Sequence, residues 1–424
     1  MFVCLLAACA SAPGNQVAET DLPAAEVTLR ATTSATPTPK PSPTTSPTPQ
    51  NAPDLSAETM VLPYLCDRSG PFSAAHASRL QALEDLVEAI NEGGGIFGAA
   101  LDLRLADTAG TADGARRGLA RLIREHGEGP LVLICDAAAE GGIGEMLNED
   151  EIPALGPGVF AEPAGYLFGL DAIPQQHLSS FLQDLLDHWS QWRPDGAPDE
   201  IKLAIIAWPQ DLAGDLAGAE VLQDMEAAQI EIVMQADLPA VPDVNIFDLI
   251  YQARDLNANV IYTKARGFGL AALLNALQDL GLRQRFVVAA PALALDAQTY
   301  EYLQDPSYAE GLLLTSAWAW WSEVEVAGNQ DLLDLHPQAE DQDWGYLQMA
   351  GAISLARRAF EEAILSEGFE NLSPETVFAA LEDMKDFPAL GGLFVVDYSS
   401  GQRSLGELRT WRVGADMWML DLAE

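Results

Sequence analysis

Basic residues are scarce in this chain of 424 residues, which has 22 lysines and arginines against 63 aspartates and glutamates. The resulting formal net charge of −41 repels the phosphate backbone of nucleic acids, so we expect no nucleic-acid partner. Lysine is the rarest charged residue and occurs only at Lys40, Lys202, Lys264 and Lys385. A basic side chain at the end of a predicted strand is therefore a stronger indication of a binding site here than in an average protein.

Motifs for catalysis and metal binding are also missing. The chain has no G-x-S-x-G elbow, no H-E-x-x-H sequence and no C-x-x-C pair, and its five histidines lack metal-ligand spacing. Residues 93–98, GGGIFG, match G-x-G-x-x-G, but they follow a predicted helix, whereas a dinucleotide site requires the motif between a strand and a helix. We expect no enzyme, no bound metal and no other cofactor.

Long hydrophobic runs are absent, so we predict no transmembrane helix, which would need about 20 apolar residues. Residues 1–9, MFVCLLAAC, resemble a short bacterial lipoprotein signal with Cys9 as the acylated residue; the alternative is an ordinary apolar terminus. Residues 10–58 are rich in serine, threonine and proline, which predicts an extended disordered tether. These features predict an extracytoplasmic, cell-envelope protein attached to the membrane by a lipid anchor only.

The rest of the chain alternates between strand and helix patterns. Its first unit, residues 60–107, contains an apolar strand, a Ser69-Gly70-Pro71 turn, an amphipathic helix, a glycine stop and a second strand. The strand-helix pattern restarts at Lys202, and the chain is longer than one hydrophobic core usually supports. We therefore expect an α/β fold with two parallel-sheet halves, in which late strand-like segments complete an earlier half.

Several local motifs in this order resemble one family. They are the Ser69-Gly70-Pro71 turn, AINEGGGIFG at 89–98, Asp107 closing the second strand, Cys135 closing the third, IP at 152–153 with GPG at 156–158, and residues 381–387. Together they resemble the type I periplasmic binding proteins, in the branched-chain amino-acid and amide branch that serves ABC importers. The resemblance covers roughly residues 60–424.

This resemblance implies two doubly wound parallel-sheet lobes joined by a three-crossover hinge, with a small solute bound in the cleft between them. It divides the chain into a first lobe of residues 59–172 plus about 317–388, and a second lobe of 173–316 plus about 389–424. The implied partners are a small-molecule solute and an ABC permease. The alternative function is a ligand-free or sensory lipoprotein of this fold that docks another envelope protein.

The loops that follow the strands are the expected solute contacts, as in other α/β folds. In the family, the loops after the third and fourth strands supply hydroxyls for an amino acid's carboxylate. Here they contain Asp136 and Ala137, and Val159 and Phe160, and Asp136 would oppose a carboxylate. The family's acidic group after the strand of residues 286–290 is replaced by an uncharged loop around Pro291. We therefore expect a solute other than an ordinary α-amino acid.

Further expected contacts are aromatic or basic. Trp208 lies near the position of a family aromatic, and Arg266 follows a strand where it could hold an anionic group, although a solvent-exposed loop is the alternative. Trp318 and Trp320 alternate at period two, so on an extended crossover they would share one side, either lining the cleft or packing the lobe junction. His76 could reach the cleft or lie at an exposed helix start.

Two cysteines end neighbouring strands in the order that the resemblance implies. Outside the cytoplasm, Cys66 and Cys135 could form a disulfide, and free buried thiols are an equal alternative. The family's usual partner for a cysteine like Cys135 follows the second strand, where this chain has Thr108-Ala109-Gly110.

Overall fold

The computed structural model describes residues 52–127, 129–158, 165–209, 225, 230–242, 244–337, 343–415 and 420–422. The expected lipidation site Cys9, residues 10–51 of the expected tether, Val159 and Phe160 lie outside these residues. No helix of the described part is both long and apolar enough to cross a membrane.

The first sheet has five strands, all parallel. They are β1 Thr59–Cys66, β2 Ala100–Asp107, β3 Val132–Ile134, β4 Ala154–Gly156 and β5 Leu167–Gly169, in the spatial order β2-β1-β3-β4-β5. Three helices connect them: α1 Ala77–Glu92, α2 Ala112–His126 and α3 Ala137–Glu149. The strand order runs one way from β1 to β2 and the other way from β1 to β3, β4 and β5, so this lobe is doubly wound.

Local sequence signals explain where the helices of this lobe begin and end. The Thr111 side chain accepts a hydrogen bond from the Gly114 amide at the start of α2, which is the capping that threonine favours. At the end of α1, Gly95 has a φ of 71°, and a Cβ there would lie 2.0 Å from the carbonyl oxygen of Ala99. The glycine run is therefore a helix stop followed by a tight turn into β2.

The second sheet has seven strands, whose neighbours form four parallel and two antiparallel pairs. They are β6 Lys202–Ala207, β7 Glu231–Asp237, β8 Val260–Tyr262, β9 Val287–Pro291, β10 Leu313–Ser316, β13 Arg409–Val413 and β14 Leu420–Leu422, in the order β14-β13-β10-β9-β8-β6-β7. The helices of this lobe are α4 Pro174–Trp192, α5 Phe247–Asp255, α6 Phe268–Asp279 and α7 Ala297–Tyr302.

The chain passes between the two lobes three times. After β5, helix α4 packs against the second sheet; after β10, the chain returns and α9 packs against α1. The elements of the return are α8 Ala327–Leu335, α9 Trp344–Glu367, α10 Pro374–Glu382 and the hairpin of β11 Phe387–Ala389 with β12 Phe394–Val396. Strand β13 then pairs with β10 in the second sheet. The two-lobed α/β fold is confirmed, while the residue bounds of the lobes stay a prediction.

One hydrophobic cluster extends through both lobes. It contains Leu62 of β1, Ile206 of β6 and Ala290 of β9, all of them fully buried. The lobes are therefore packed against each other through a shared apolar core.

Candidate functional site

The carboxyl ends of the two sheets meet in a contact region that we call the seam. The first lobe contributes the turn after β1, where the carbonyl oxygen of Pro71 accepts a hydrogen bond of 2.7 Å from Nε2 of Gln298 in the second lobe. The ring of Phe72 lies 5.5 Å from that of Trp208 and 5.7 Å from that of Phe268, between ring centroids. The seam is thus a contact between the strand-end loops of the two lobes.

Asp67 fixes the turn that carries Phe72. Its carboxylate accepts hydrogen bonds from the amides of Gly70 at 2.5 Å and Phe72 at 3.0 Å. Gly70 has no room for a side chain, since a Cβ would lie 2.5 Å from the carbonyl oxygen of Ala109. The Ser69-Gly70-Pro71 turn is therefore held by Asp67 and packed closely against Ala109, and it directs Phe72 toward the second lobe.

Ionisable side chains are buried behind this turn. His76, Arg79, Asp296 and Asp343 are between 1% and 7% exposed. Arg79 donates from Nε to the side-chain oxygen of Gln348 at 3.1 Å and from Nη1 to the Ala75 carbonyl at 2.9 Å. Charged groups are rarely buried unless they are paired, so a cluster of this kind indicates a specialised site.

Burial dominates the electrostatics of the cluster. It lowers the pKa of His76 well below its usual value, and the nearby charges of Arg79 and Arg266 lower this pKa further, so the imidazole is neutral at pH 7. Burial raises the pKa of Asp296 to about 6, although the Thr299 amide and the Arg266 charge partly oppose the rise. Burial also raises the pKa of Asp343.

The acidic side chains around the seam accept hydrogen bonds from the chain's own backbone. Oδ1 atoms of Asp136, Asp296 and Asp343 accept from the amides of Ala139 at 2.7 Å, Thr299 at 2.8 Å and Tyr346 at 2.8 Å. Each of these aspartates is the N-cap of a helix, where a carboxylate is favoured. Oε1 of Glu140 likewise accepts from the Gly158 amide at 2.6 Å.

Several buried polar atoms of the seam, by contrast, have no hydrogen-bond partner within the described residues. They are the hydroxyl of Tyr64, both ring nitrogens of His76, Nε1 of Trp208, Oε1 of Gln298 and Nε2 of Gln348. A buried polar group without a partner costs about 1–3 kcal/mol, so native proteins usually satisfy it with water or a ligand. The seam therefore offers polar atoms, most of them possible donors, to a bound molecule.

A model of the periplasmic binding protein family matches residues 59–406 of this chain. The chain belongs to the periplasmic binding protein family. The members of this family bind substrates and are not enzymes, which confirms the prediction that the chain is not an enzyme. A search of curated protein sequences found no match.

Solved structures of similar fold include three binding proteins with low sequence identity. A branched-chain amino-acid ABC transporter protein from Thermus thermophilus with bound valine is 16% identical, with a TM-score of 0.73 over 87% of this chain and 96% of that one. A fatty-acid ABC transporter substrate-binding protein from Thermomonospora curvata is 14% identical, with a TM-score of 0.72 over 88% and 94%. A leucine-binding protein from Thermotoga maritima is 13% identical, with a TM-score of 0.69 over 86% and 98%. At these identities the likeness establishes the fold alone.

Two expected contacts of this binding protein meet at the seam, and a third lies within the electrostatic influence of one of them. Trp208 and Arg266 both contact Phe72, and the Arg266 guanidinium carbon lies 4.9 Å from the centre of the Phe72 ring. Asp136 is buried, and although burial raises its pKa, the charge of Arg266 acts to lower it, which places the two side chains in the same electrostatic environment.

The other described contacts are less informative. Ala137 is the first residue of α3 and is half-buried, and Pro291 is buried at the end of β9, where it pairs with Thr315 of β10. Neither side chain contributes a polar group, so each can act on a solute only through its shape. The acidic group that is missing beside Pro291 is found a few residues further on, at the buried Asp296.

Trp318 and Trp320 pack in the core of this binding protein. The Trp318 ring stacks on Phe394 at 5.3 Å, and the Trp320 ring lies 4.5 Å from Trp344, with both tryptophans at most 5% exposed. The chain bends at Ala317 and Trp318 instead of staying extended, so the period-two argument does not apply. These contacts match the packing alternative, while a role of either tryptophan in lining the cleft stays a prediction.

Cys66 and Cys135 are joined by a disulfide, with their Cα atoms 5.1 Å apart. A nitrogen of His76 and the two sulfurs lie within 4.8 Å of one another, which is close enough for a metal site. The sulfurs are bonded to each other, however, so the imidazole is the one free ligand of this group. An exposed helix-start position for His76 is wrong, since the side chain is 1% exposed.

Sequence reasoning missed Phe72, Arg79, Phe268 and Asp296 as residues of the site. Asp296 had a local signal, because an aspartate directly before a helix is a favoured N-cap. Phe72 follows the turn that marks the strand end. Nothing local distinguishes Arg79 and Phe268 from ordinary helix residues, since their roles depend on contacts between residues far apart in the chain.

Proposed function

We propose that this chain is an extracytoplasmic solute-binding lipoprotein that captures a small molecule between its lobes and delivers it to an ABC importer. The observation that carries this proposal is the set of buried polar atoms at the seam that have no partner within the described residues. A solute entering between the lobes would supply those partners. The N-terminal run ending at Cys9 supports membrane attachment through a lipid.

Lobe movement is the mechanism that we propose for capture. The first lobe would comprise residues 59–172 and about 317–388, and the second lobe the remainder of the folded body. Opening about the three crossovers would expose the seam, and solute contacts made by both lobes would favour the closed form. An importer permease would then recognise that closed form.

The solute that we propose is not an ordinary α-amino acid. In an α/β fold, an amino acid's carboxylate would bind at helix N-termini and amides near strand ends. Here the carboxylates of Asp136 and Glu140 already accept hydrogen bonds from the amides of Ala139 and Gly158. A ligand carboxylate at either place would have to displace a buried side chain of the same charge.

A thermal-shift screen tests this proposal. The panel would contain α-amino acids, amides, short peptides, aromatic acids and polyamines, with unfolding followed by tryptophan fluorescence. A ligand at 100 times its Kd stabilises the folded state by about 2.7 kcal/mol, which is readily detected. We expect stabilisation by at least one class other than the α-amino acids, and failure of every class would contradict solute binding.

One observation favours a second candidate function, in which the chain docks another envelope protein without taking a solute. The Phe72 ring lies between the lobes with Trp208 and Phe268, so the chain's own side chains stabilise contact between the lobes. A protein that stays closed in this way would present one rigid surface to a partner. Small-angle scattering discriminates the two functions, because a solute-binding protein changes its radius of gyration when ligand is added and a rigid docking protein does not.

A further inference from the structure

At the seam, the side chain of Phe72 from the first lobe inserts between aromatic rings of the second lobe. Phe72 is half-buried, its ring is nearly parallel to that of Phe268, at 12°, and it lies 5.7 Å away. Trp208 completes the contact at 5.5 Å. These distances fall within the range of favourable aromatic pairs.

The second lobe alone builds the slot that receives this ring. Trp208 follows β6 and Phe268 begins α6, and their rings lie 5.6 Å apart, while Tyr302 of α7 packs edge-on against Phe268 at 6.0 Å. Phe72, in contrast, belongs to the turn after β1 of the first lobe. When the lobes separate, the slot would remain intact and Phe72 would leave it.

Arg266 places a positive charge over the face of the Phe72 ring. Its guanidinium carbon lies 4.9 Å from the centre of the Phe72 ring, and within the described residues no hydrogen bond engages its donors. Nε1 of Trp208 is a second buried donor without a partner in that part of the chain. The neighbouring acids Asp136 and Asp296 accept from amides of their own helices, and within the described residues no hydrogen bond or ion pair joins either of them to Arg266.

We propose that the solute of this protein is an aromatic carboxylate, whose ring takes the slot that Phe72 occupies and whose carboxylate binds Arg266. This inference rests on the proposed solute-binding function and names its ligand class. A planar carboxylate matches the fork of a guanidinium, and the ring replaces contacts that the protein already makes with itself. Because the Arg266 guanidinium lies over the face of the ring, the carboxylate must reach it on a short flexible arm. Phe72 then acts as an internal competitor of the solute.

The experiment measures the affinity of the full chain for benzoate, phenylacetate and 3-phenylpropanoate by calorimetry. Benzyl alcohol, which has no charge, and hexanoate, which has no ring, are the comparison probes. We expect at least one aromatic acid to bind at least about tenfold more tightly than either comparison probe, a factor that corresponds to about 1.4 kcal/mol.

Two variants test the assigned roles. Phe72→Ala should bind the aromatic acid about tenfold more tightly, because the competing ring is gone, and Arg266→Gln should bind it about tenfold more weakly. Phe72→Leu, which keeps an apolar side chain but no ring, should give a smaller gain and serves where the alanine variant does not fold. Aliphatic or uncharged probes should not gain from Phe72→Ala.

Matched controls lie away from the seam. Phe387 is also half-buried, with Arg358 5.9 Å from its ring centre, and Arg254 lies over Tyr251 at 4.6 Å. Phe387→Ala and Arg254→Gln should leave the affinity within about twofold of the wild type, since distant substitutions act independently.

The outcomes separate this inference from the function on which it rests. If another class of solute binds and Phe72→Ala does not change the affinity for aromatic acids, the ligand class is wrong and the binding function stands. If no class binds either the wild type or Phe72→Ala, both are wrong. Tighter binding of an aromatic acid by Phe72→Ala, together with its loss in Arg266→Gln, supports the inference.

Discussion

The disulfide between Cys66 and Cys135 joins residues 69 positions apart, at the ends of two neighbouring parallel strands. Those ends are already held together in the folded state, since the Cys135 amide donates to the Leu65 carbonyl at 3.0 Å. The crosslink therefore adds little new contact to the folded protein. Its main effect falls on the unfolded chain, in which it closes a long loop.

The magnitude follows from the length of that loop. In the chain-entropy model, a crosslink lowers the conformational entropy of the unfolded chain by about 2.1 plus 1.5R ln n cal/mol/K, where n is the number of residues in the loop. For a separation of 69 residues this amounts to about 4 kcal/mol of stabilisation at 25 °C. Domains are commonly stable by about 5–15 kcal/mol, so breaking this bond would remove a large share of the stability.

The assay compares urea unfolding of the oxidised protein, the reduced protein and the double variant Cys66→Ala/Cys135→Ala. We expect reduction to lower the free energy of unfolding by about 4 kcal/mol, and the double variant to be insensitive to reductant. Thiol titration of the denatured chain provides the chemical control, with two more thiols after reduction than before it. An equal thiol count before and after reduction, or a stability change below about 1 kcal/mol, would refute the reasoning.

Two further predictions concern packing and charge. Gly328→Ala should lower the free energy of unfolding by about 1–3 kcal/mol in urea titrations, because its Cβ would lie 1.7 Å from the Leu390 carbonyl oxygen. In the control Gly144→Ala, a Cβ would have nothing within 4 Å, so this change should raise the free energy of unfolding by about 0.5–1 kcal/mol. Equal effects of the two changes would contradict the close approach of α8 to residue 390. Asp296 has its pKa raised to about 6 by burial, so its contribution to stability is complete below about pH 4 and is lost as the pH rises through 6. The free energy of unfolding of the wild type relative to Asp296→Asn should therefore fall by about 2 kcal/mol between pH 4 and 7, and a flat difference would contradict the burial of this carboxyl.

The fold was accessible from the sequence because its signals are local. The apolar face of α1, the glycine stop after it and the threonine cap of α2 each depend on neighbouring residues. The rule that loops after parallel strands line a site also needs only the strand ends. It was sufficient to select Trp208 and Arg266, which the structure brings to the same ring of Phe72.

The composition of the site was less accessible, because it depends on contacts between distant parts of the chain. The insertion of Phe72 requires both lobes, and the hydrogen bond from Arg79 to Gln348 joins residues 269 positions apart. The geometry expected for Trp318 and Trp320 was wrong for a different reason. It assumed an extended crossover, whereas a bend follows β10 and turns both rings into the core.

The seam resembles a site that is already occupied by the protein itself. On the first lobe, the carboxylates of Asp136 and Glu140 accept hydrogen bonds from amides near strand ends, and on the second lobe the Phe72 ring fills an aromatic slot. These internal contacts stabilise the packing of the two lobes without a solute. A solute can then favour closure only by the amount by which its contacts exceed those that it displaces. If Phe72 competes with the solute as proposed, removing its ring should raise the affinity, whereas removing a residue that only lines the cleft should lower it.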